Sequence, residues 1–474
     1  MTIPVPPPGH RGNATGLLRA GLRVALFGAV AVSMPAPVIA ASRGASTPTL
    51  SIVLMRHGVR APTKPNASLD RYSRAPWPAW SVAPGRLTAH GHAGLVALGQ
   101  RYRAWLAPSL GIAAGCAGLR QIAVVADSDN RNHASAQALG QGLAPGCGLQ
   151  YRALPEGRDN PLFGAADEDV PAASVQLDAD ARRRLEQLQA LLLDCHGGDC
   201  AEVAQAQDRK LLLDPTAGDH QQAEAKALKQ AGSLAENLML EYTEGMPLAQ
   251  VGWGRLDRAG VERLIALHDI SFAQFKRPLP VAAANGSNLL AHLLATLQAG
   301  AGLAPTSTPR VGSRAAASHA SPVATYARAP VATTTGIHAG SAIAPLADSQ
   351  ARLLFVIGHD TNLANLAGLL ELHWQAHGVA DLYPPGGGLV FDLIGQGTDA
   401  KLRIRTLLPG LDALRQNRFD GDAIASRTLP LAACDGALEC PLAKVVAWLQ
   451  PRLDMRHIEP TLPPMRDWPA QPTR

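Results

Sequence analysis

Short apolar runs that end at glycine or polar residues mark three buried strands in this chain. Each run is rich in β-branched or aliphatic residues and has no polar alternation, which is typical of a strand buried on both faces. The strands are predicted at 49–55, 121–126 and 352–357. Helical spacing of apolar residues follows each strand, at 89–106, at 135–143 and from 360 to 372. This alternation predicts an α/β fold with a largely parallel central sheet flanked by helices.

The middle of the chain has a different pattern. Helical periodicity recurs with almost no strand pattern between its segments, at 177–193, 221–242, 258–275 and 287–297. Residues 304–349 are of low complexity, rich in Ala, Pro, Ser and Thr, and predict a loop or linker. We therefore expect a mainly helical domain at 155–303, inserted between the two parts of an α/β domain at 41–154 and 350–474.

The first forty residues have the features of an export signal. Arg19 and Arg23 precede an apolar run at 24–34, which is too short to span a bilayer. Val38 and Ala40 supply small residues at the positions that a signal peptidase reads, so cleavage is expected after about Ala40. A membrane anchor or a buried helix is the alternative. The mature protein is expected to be periplasmic or secreted, with no stable membrane association.

Charge and cysteine content narrow the function classes. The net charge of +5 includes three arginines from the first forty residues, which contain no acid, and no run of Lys and Arg follows. We therefore expect no nucleic-acid partner.

An even number of cysteines in an exported chain indicates disulfides, although six cysteines allow fifteen pairings. Metal ligation is the alternative, but no pair has the two-residue spacing of a zinc knuckle. The cysteines are Cys116, Cys147, Cys195, Cys200, Cys434 and Cys440.

Polar clusters follow each of the three predicted strands. They lie at 56–64 (R-H-G-V-R-A-P-T-K), 127–131 (D-S-D-N-R) and 358–362 (G-H-D-T-N). Ligands of open parallel sheets bind beyond the carboxyl ends of the strands, so the clusters can converge on one pocket. Guanidinium groups match the geometry of a phosphate, a neutral imidazole can attack phosphorus, and a carboxylic acid can protonate the leaving oxygen. The set therefore indicates hydrolysis of a phosphate monoester, with no metal or other cofactor expected.

These motifs also carry a family resemblance. The pattern R-H-G-x-R-x-P at 56–62, with a distant His-Asp at 359–360, resembles the histidine acid phosphatases. The stretches 358–366 (G-H-D-T-N-L-A-N-L) and 384–391 (P-P-G-G-G-L-V-F) are similar to the bacterial periplasmic phytases. The resemblance implies a phosphoglycerate-mutase-like sheet, and it makes His57 the nucleophile and Asp360 the proton donor. It places further residues around the substrate: Arg56, Arg60, Thr63, Lys64, Arg131, His359, Glu236 and His268.

The same resemblance implies which cysteines pair and which substrate is used. Neighbouring cysteine pairs occur where the phytase branch has disulfides, so we expect Cys116–Cys147, Cys195–Cys200 and Cys434–Cys440. Phytate (myo-inositol hexakisphosphate) is the expected substrate of a monomeric enzyme. There are two alternatives. One is a narrow sugar phosphatase similar to glucose-1-phosphatase, and the other is a non-catalytic protein that binds phosphate esters. Two departures from the phytase pattern are Gly388, where a glutamate is common, and His133, where an arginine is common.

Overall fold

The structure is a computed structural model that describes residues 46–164, 177–213, 218–306, 342–374, 381–460, 462 and 468–473. The predicted signal peptide at 1–40 and most of the predicted linker at 304–349 lie outside these residues. The domain boundaries given above therefore remain predictions.

A central mixed sheet organises the described residues. Its order is β7-β6-β5-β1-β4-β2-β3-β9, and β8 pairs with β6. The four strands β1, β4, β2 and β3 are mutually parallel, and antiparallel strands extend the sheet on both sides. The strands are β1 Pro48–Arg56, β2 Ile122–Ala126, β3 Gln150–Arg152, β4 Leu353–Gly358, β5 Gly388–Ile394, β6 Lys401–Pro409, β7 Ile424–Ala425, β8 Cys440–Pro441 and β9 Ala470–Pro472.

Helices cover both faces of the sheet and form a separate cluster in the middle of the chain. Two of them have the predicted bounds, while the helices predicted at 135–143 and 287–297 begin earlier, at Asn130 and Leu279. The described α-helices are α1 Asn66–Leu69, α2 Ala89–Leu106, α3 Asn130–Leu143, α4 Ala179–Leu193, α5 Cys200–Ala206, α6 His220–Thr243, α7 Arg258–Phe275, α8 Leu279–Gly300, α9 Asp360–Leu369, α10 Leu411–Gln416 and α11 Leu442–Leu449. The predicted fold class is confirmed.

Alternate residues of β1 enter two different hydrophobic cores. Ile52 and Leu54 pack on the side of α8 and α9, whereas Val53 and Met55 pack on the side of α2 and α3. All four side chains are buried, because helices cover both faces of the sheet. This explains why the strand is a continuous apolar run. A third core, centred on α4, α6 and α7, belongs to the helical part of the chain.

The six cysteines form the three expected disulfides, Cys116–Cys147, Cys195–Cys200 and Cys434–Cys440. Disulfides persist in oxidising compartments, so these bonds fit a protein outside the cytoplasm. Across the part of the chain that the structure describes, no helix is both long and apolar enough to cross a membrane.

Candidate active site

The carboxyl ends of β1 and β4 lie side by side and position the first motif. Arg56 pairs with Gly358 in the parallel register, and the backbone N–H of His57 donates to the Gly358 carbonyl at 3.0 Å. The Gly58 N–H donates to Ser135 Oγ at 3.1 Å, which ties the turn to α3. A Cβ on Gly58 would lie 2.6 Å from the Leu95 side chain on α2, so a larger residue here would require that side chain to move.

His57 is a buried imidazole with one ring nitrogen tied to the backbone. Its Nδ1 lies 2.9 Å from the Gly58 carbonyl oxygen; an Nδ1–H donated to that carbonyl leaves Nε2 with a free lone pair. Burial, followed by the positive charges of Arg131 and Arg56, holds the pKa of the His57 imidazole well below its ordinary 6.5. The imidazole is therefore neutral in weak acid, as attack on phosphorus requires.

Arg56 is fully buried and is held by groups from several parts of the chain. Its Nη2 makes an ion pair with Glu236 and lies 3.0 Å from Asp360 Oδ2. Its Nη1 donates to the Tyr383 carbonyl at 2.6 Å and lies 3.9 Å from Asp381 Oδ2. A buried guanidinium with so many partners has a fixed orientation. A fixed, planar guanidinium suits the recognition of two oxygens of a phosphate at once.

Glu236 joins the two arginines of the first motif. Its Oε1 accepts from Arg56 and, at 2.8 Å, from Arg60 Nη2. Burial would raise the pKa of the Glu236 carboxyl, but Arg60 and Arg56 outweigh burial and hold the pKa below its ordinary value. Glu236 is therefore a carboxylate that orients two guanidinium groups in the free protein.

The segment after β2 contributes a third arginine, beside the second imidazole. Arg131, at the start of α3, lies 3.3 Å from His359 Nδ1 and 2.6 Å from Asp129. On the opposite side of the ring, His359 Nε2 lies 2.8 Å from Asp127 Oδ2. The rings of His57 and His359 meet edge to face, with centroids 5.5 Å apart. The first and third polar clusters thus adjoin, as their positions at strand ends predicted.

Asp360 is the first residue of α9 and faces Arg56. Its Oδ1 accepts from the Thr361 backbone N–H at 2.8 Å, and its Oδ2 forms the ion pair with Arg56. Burial would raise the pKa of the Asp360 carboxyl, but Arg56 and His268 outweigh burial and hold the pKa far below its ordinary value. In the free protein this side chain is consequently ionised.

His268 lies behind Asp360, buried in the pocket wall and 3% exposed. The resemblance implied a place around the substrate, and α7 places the imidazole Nε2 3.8 Å from Asp360 Oδ2. Burial would lower the pKa of His268, but Asp269 and Asp381 lead a group of carboxylates that raise the pKa to about 9. His268 is therefore an imidazolium surrounded by acids.

Thr63 and Lys64 lie at the exposed end of the first motif. Lys64 Nζ is 3.5 Å from Gln230 Oε1 on α6. A Cβ built on Gly85 would lie 3.9 Å from both Arg131 and Thr63, so the side chains of these two residues come close together beside Gly85. The arrangement leaves an ammonium group at the mouth, where a second anionic group of a substrate could meet it.

Several groups of acids and histidines have the spacing of metal ligands. In the described residues these groups include Asp127, Asp129 and His359, and also Glu236, His268 and Asp360. The Arg56 guanidinium already supplies positive charge to Glu236 and Asp360, and Arg131 supplies it to Asp129. The donor set is thus balanced by arginines, which supply the positive charge that a divalent cation would bring.

Two residues of the site were not assigned a role from the sequence. Asp127 was recognised only as part of a polar cluster, and it orients His359. Asp381 lies three residues before the P-P-G-G-G stretch and is fully buried beside Arg56 and His268. A lone aspartate before a turn has no signal that distinguishes it from a surface residue, so its role follows only from burial.

The two departures from the phytase pattern have structural explanations. A Cβ on Gly388 would lie 2.0 Å from the Leu54 carbonyl oxygen, because β5 approaches β1 closely at the start of its antiparallel pairing. His133 points toward β3, where its Nδ1 lies 3.2 Å from the Tyr151 hydroxyl and its Nε2 lies 2.9 Å from the Leu154 carbonyl. Its ring contacts therefore belong to the packing of α3 on β3.

Comparison with known proteins agrees with this geometry. The family model described as the histidine phosphatase superfamily (branch 2) matches residues 50–408. Phytase AppA of Escherichia coli K12 is 28% identical over 366 residues, which cover 72% of this chain and 75% of that protein. A glucose-1-phosphatase of Salmonella typhimurium is 30% identical over 247 residues, 49% of this chain and 60% of that protein.

A solved structure supports the fold. The Hafnia alvei phytase in complex with myo-inositol hexakis sulphate superposes with a TM-score of 0.62 at 24% identity. The match covers 87% of this chain and 99% of that one. At this identity the likeness concerns the architecture, which both chains share over almost the whole of the smaller one.

Proposed function

Because the chain belongs to the histidine phosphatase superfamily (branch 2), we propose that it hydrolyses phosphate monoesters, and phytate in particular, through a phosphohistidine at His57. Its relatives include a phytase and a glucose-1-phosphatase. The observation that carries the proposal is the buried His57 imidazole among Arg56, Arg60 and Arg131, with Asp360 paired to Arg56. No other cluster in the described residues combines a depressed histidine pKa with this density of guanidinium groups.

The arginines bind and activate the transferred phosphoryl group. Arg56, Arg60 and Arg131 neutralise the phosphate of the ester, and Asp127 holds the His359 ring beside Arg131 in the same site. These donors are fixed before the substrate arrives, so they stabilise charge on the equatorial oxygens without reorganising. His57 Nε2 attacks phosphorus in line with the leaving oxygen, and a covalent N–P bond forms as the ester P–O bond breaks.

Asp360 provides the proton for the leaving oxygen and then accepts one from water. In the free protein Arg56 keeps the Asp360 carboxyl ionised. A bound phosphate engages Arg56 and adds negative charge beside Asp360, and both effects raise the proton affinity of the carboxyl. In the second step the carboxylate takes a proton from the water that attacks the phosphohistidine, which releases phosphate and restores His57.

The preference for phytate is proposed from the mouth of the pocket and from the motifs. Lys64 offers an ammonium group beside the nucleophile loop, where a substrate with several phosphates would place a second one. The His-Asp-Thr sequence at 359–361 and the stretch at 384–391 resemble phytases more than glucose-1-phosphatases. The signal-like N-terminus and the disulfides support a periplasmic location, and we propose that the enzyme acts as a monomer.

Replacing the nucleophile tests the proposed chemistry. His57→Ala is expected to abolish turnover of phytate and p-nitrophenyl phosphate while leaving the circular dichroism spectrum unchanged, because the side chain faces the pocket and contributes little packing. Quenching the wild-type enzyme during turnover should trap an acid-labile phosphoryl group on the peptide that contains His57. A phosphoryl group on a serine, or turnover by the alanine variant, would contradict the mechanism.

Replacing Lys64 tests the proposed substrate. Lys64→Met should lower kcat/KM for phytate by roughly tenfold, the size of one lost charge-assisted contact of about 1.4 kcal/mol, and should leave p-nitrophenyl phosphate nearly unchanged. Lys444→Met, on α11, is the matched control for removing an exposed lysine. Equal losses on both substrates would remove Lys64 from the specificity argument. Faster wild-type turnover of glucose 1-phosphate than of phytate would favour the sugar phosphatase alternative.

A further inference from the structure

The proposed mechanism leaves one proton without a source. Asp360 must be protonated when the leaving oxygen departs, yet in the free protein it is a carboxylate paired with Arg56. The proton therefore has to reach Asp360 after the substrate binds. At that stage the ester fills the opening of the pocket, so a donor in the pocket wall has an advantage over bulk water.

His268 is placed to be that donor. The oxygen of Asp360 that contacts Arg56, Oδ2, is also the oxygen that lies 3.8 Å from His268 Nε2. A shortening of about 1 Å brings these atoms to hydrogen-bond distance. Release of Asp360 from Arg56 by the incoming phosphate allows this movement.

The other side of the imidazole is surrounded by acids. His268 Nδ1 lies 3.9 Å from Asp269 Oδ1 and 4.0 Å from Asp381 Oδ1. The ring packs against Phe272 with centroids 4.1 Å apart, which restrains its rotation. The charged and titratable groups that act on His268 come from its own helix and from the elements around it: Asp269 on α7, Glu236 on α6, Asp360 on α9, and Asp381 before β5.

We propose that His268 is the proton reservoir of Asp360, an inference that rests on the phosphatase function proposed above. When a phosphate ester engages Arg56, the Nε2–H bond of His268 breaks and an O–H bond forms at Asp360 Oδ2. Asp360 then gives this proton to the leaving alkoxide. In the second step, water loses one proton to Asp360 as its oxygen bonds to phosphorus, and that proton returns to His268.

Asp269 and Asp381 support the proposed role of His268. Because they lie beside the far nitrogen, they stabilise the imidazolium between turnovers. His268 acts through Asp360 and does not touch the reacting atoms, so it is a positioning and proton-supplying residue. The requirement for it should depend on the leaving group, since p-nitrophenolate departs without a proton and an alkoxide does not.

The test compares His268→Gln with the wild-type enzyme on phytate and on p-nitrophenyl phosphate across pH. We expect kcat for phytate to fall by roughly 10- to 100-fold, within the lower range of general-acid effects, and kcat for p-nitrophenyl phosphate to change little. The alkaline limb of the phytate profile should move to lower pH by about one unit, because Asp360 then depends on solvent for its proton. KM for both substrates should be nearly unchanged.

His292→Gln is the matched control. His292 is also a buried histidine of the helical part, but its Nδ1 and Nε2 contact the backbone carbonyls of Ala344 and Glu459. Its replacement should lower stability without changing the ratio of the two substrates or the pH profile. Equal losses on both substrates in His268→Gln, with an unmoved profile, would overturn the proposal.

A measurement on the unmodified side chain keeps the proposal testable if the glutamine variant does not fold. In ¹⁵N-histidine NMR of the wild-type enzyme, His268 should be protonated on both nitrogens at pH 7, and in Asp360→Asn its pKa should fall. A neutral His268 at pH 7 would refute the reservoir. If no phosphohistidine intermediate can be trapped in the wild-type enzyme, the proposed function is refuted instead. The two failures are therefore distinguishable.

Discussion

At the scale of single residues, Arg56 has the most partners in the site. Its guanidinium contacts carboxylates from α6, from α9 and from the segment before β5, and none of its side chain is exposed. Loss of this one cation would leave several buried carboxylates without compensation, which is among the most destabilising changes in a protein interior. The residue therefore has a structural role that is inseparable from its role in binding phosphate.

Asp360→Asn tests the division of labour at this scale. Asparagine keeps the size of the side chain but cannot donate a carboxylic proton, so kcat for phytate should fall by about 10² to 10⁴. The loss for p-nitrophenyl phosphate should be much smaller, because p-nitrophenolate is stable without a proton. The measurement is the ratio of variant to wild-type kcat for each substrate.

Asp381→Asn is the control for this prediction. It also removes a carboxylate from Arg56, but the side chain is fully buried and is not placed to reach the leaving oxygen. We expect it to lower kcat for phytate far less than Asp360→Asn does, because Asp381 acts on the leaving oxygen only through His268. If Asp360→Asn lowers kcat for both substrates in the same proportion, Asp360 positions the phosphate or His359, and Glu236 becomes the next candidate for the acid.

At the scale of elements, the contact between α2 and the first motif determines where His57 and Arg60 lie. The N-cap residue Thr88 accepts from the Gly91 N–H at 2.9 Å, so the first turn of α2 faces the motif. A Cβ on Gly91 would lie 2.1 Å from the Val59 carbonyl oxygen. The helix can start at this position only because residue 91 has no side chain.

Gly91→Ala is expected to displace the motif from its place at the end of β1. A misplacement of about 1 Å can lower the rate 10²-fold, so kcat/KM for p-nitrophenyl phosphate should fall by roughly 10- to 100-fold, accompanied by a lower Tm. Gly198→Ala is the control, since a Cβ there would meet nothing within 4 Å. Full activity in Gly91→Ala would show that α2 moves away without carrying the motif with it.

At the scale of the whole molecule, buried acids and His268 link stability to pH. Burial raises the pKa of the Glu241 carboxyl on α6 to about 8, and it raises the pKa of Asp269 to about 7. The pKa of His268 is raised to about 9. In each case the folded protein holds a proton more tightly than the unfolded chain. Stability should therefore fall as the pH rises through the neutral range.

Glu241→Gln tests this linkage. The glutamate is neutral in the folded protein up to about pH 8 but ionises in the unfolded chain above about 4.5, so the stability that its proton confers is lost between these values. The variant should match the wild type near pH 4.5 and exceed it by up to about 5 kcal/mol in unfolding free energy above pH 8.

Denaturant unfolding at several pH values measures this difference, with Glu202→Gln, an exposed glutamate on α5, as the control. The same pH dependence in Glu241→Gln and wild type would show that Glu241 is not the group responsible. The remaining decline above pH 6.5 would then be assigned to His268.

Local sequence pattern was enough to predict the strands, most of the helices and the chemistry of the strand ends, whereas the cysteine pairs came from the family resemblance. The buried strands and most of the helices depend on local periodicity, and a side chain at the end of a parallel strand must face the edge where ligands bind. Five site residues could be identified in this way, because each lies at or just after the end of a strand that the pattern predicts. They are Arg56, His57, Arg60, His359 and Asp360.

The ionisation of these groups and the roles of Asp127, Asp381 and His268 follow from the three-dimensional fold alone. The reason is physical: a pKa in a protein interior depends on burial and on charges from segments far apart in sequence, such as Glu236 and Asp360 around Arg56. The antiparallel side of the sheet, where Gly388 begins β5, likewise depends on pairing between distant segments. The local sequence pattern carries no information on distances between segments or on burial. It could not predict that Asp360 is ionised in the free protein, or that His268 lies next to it.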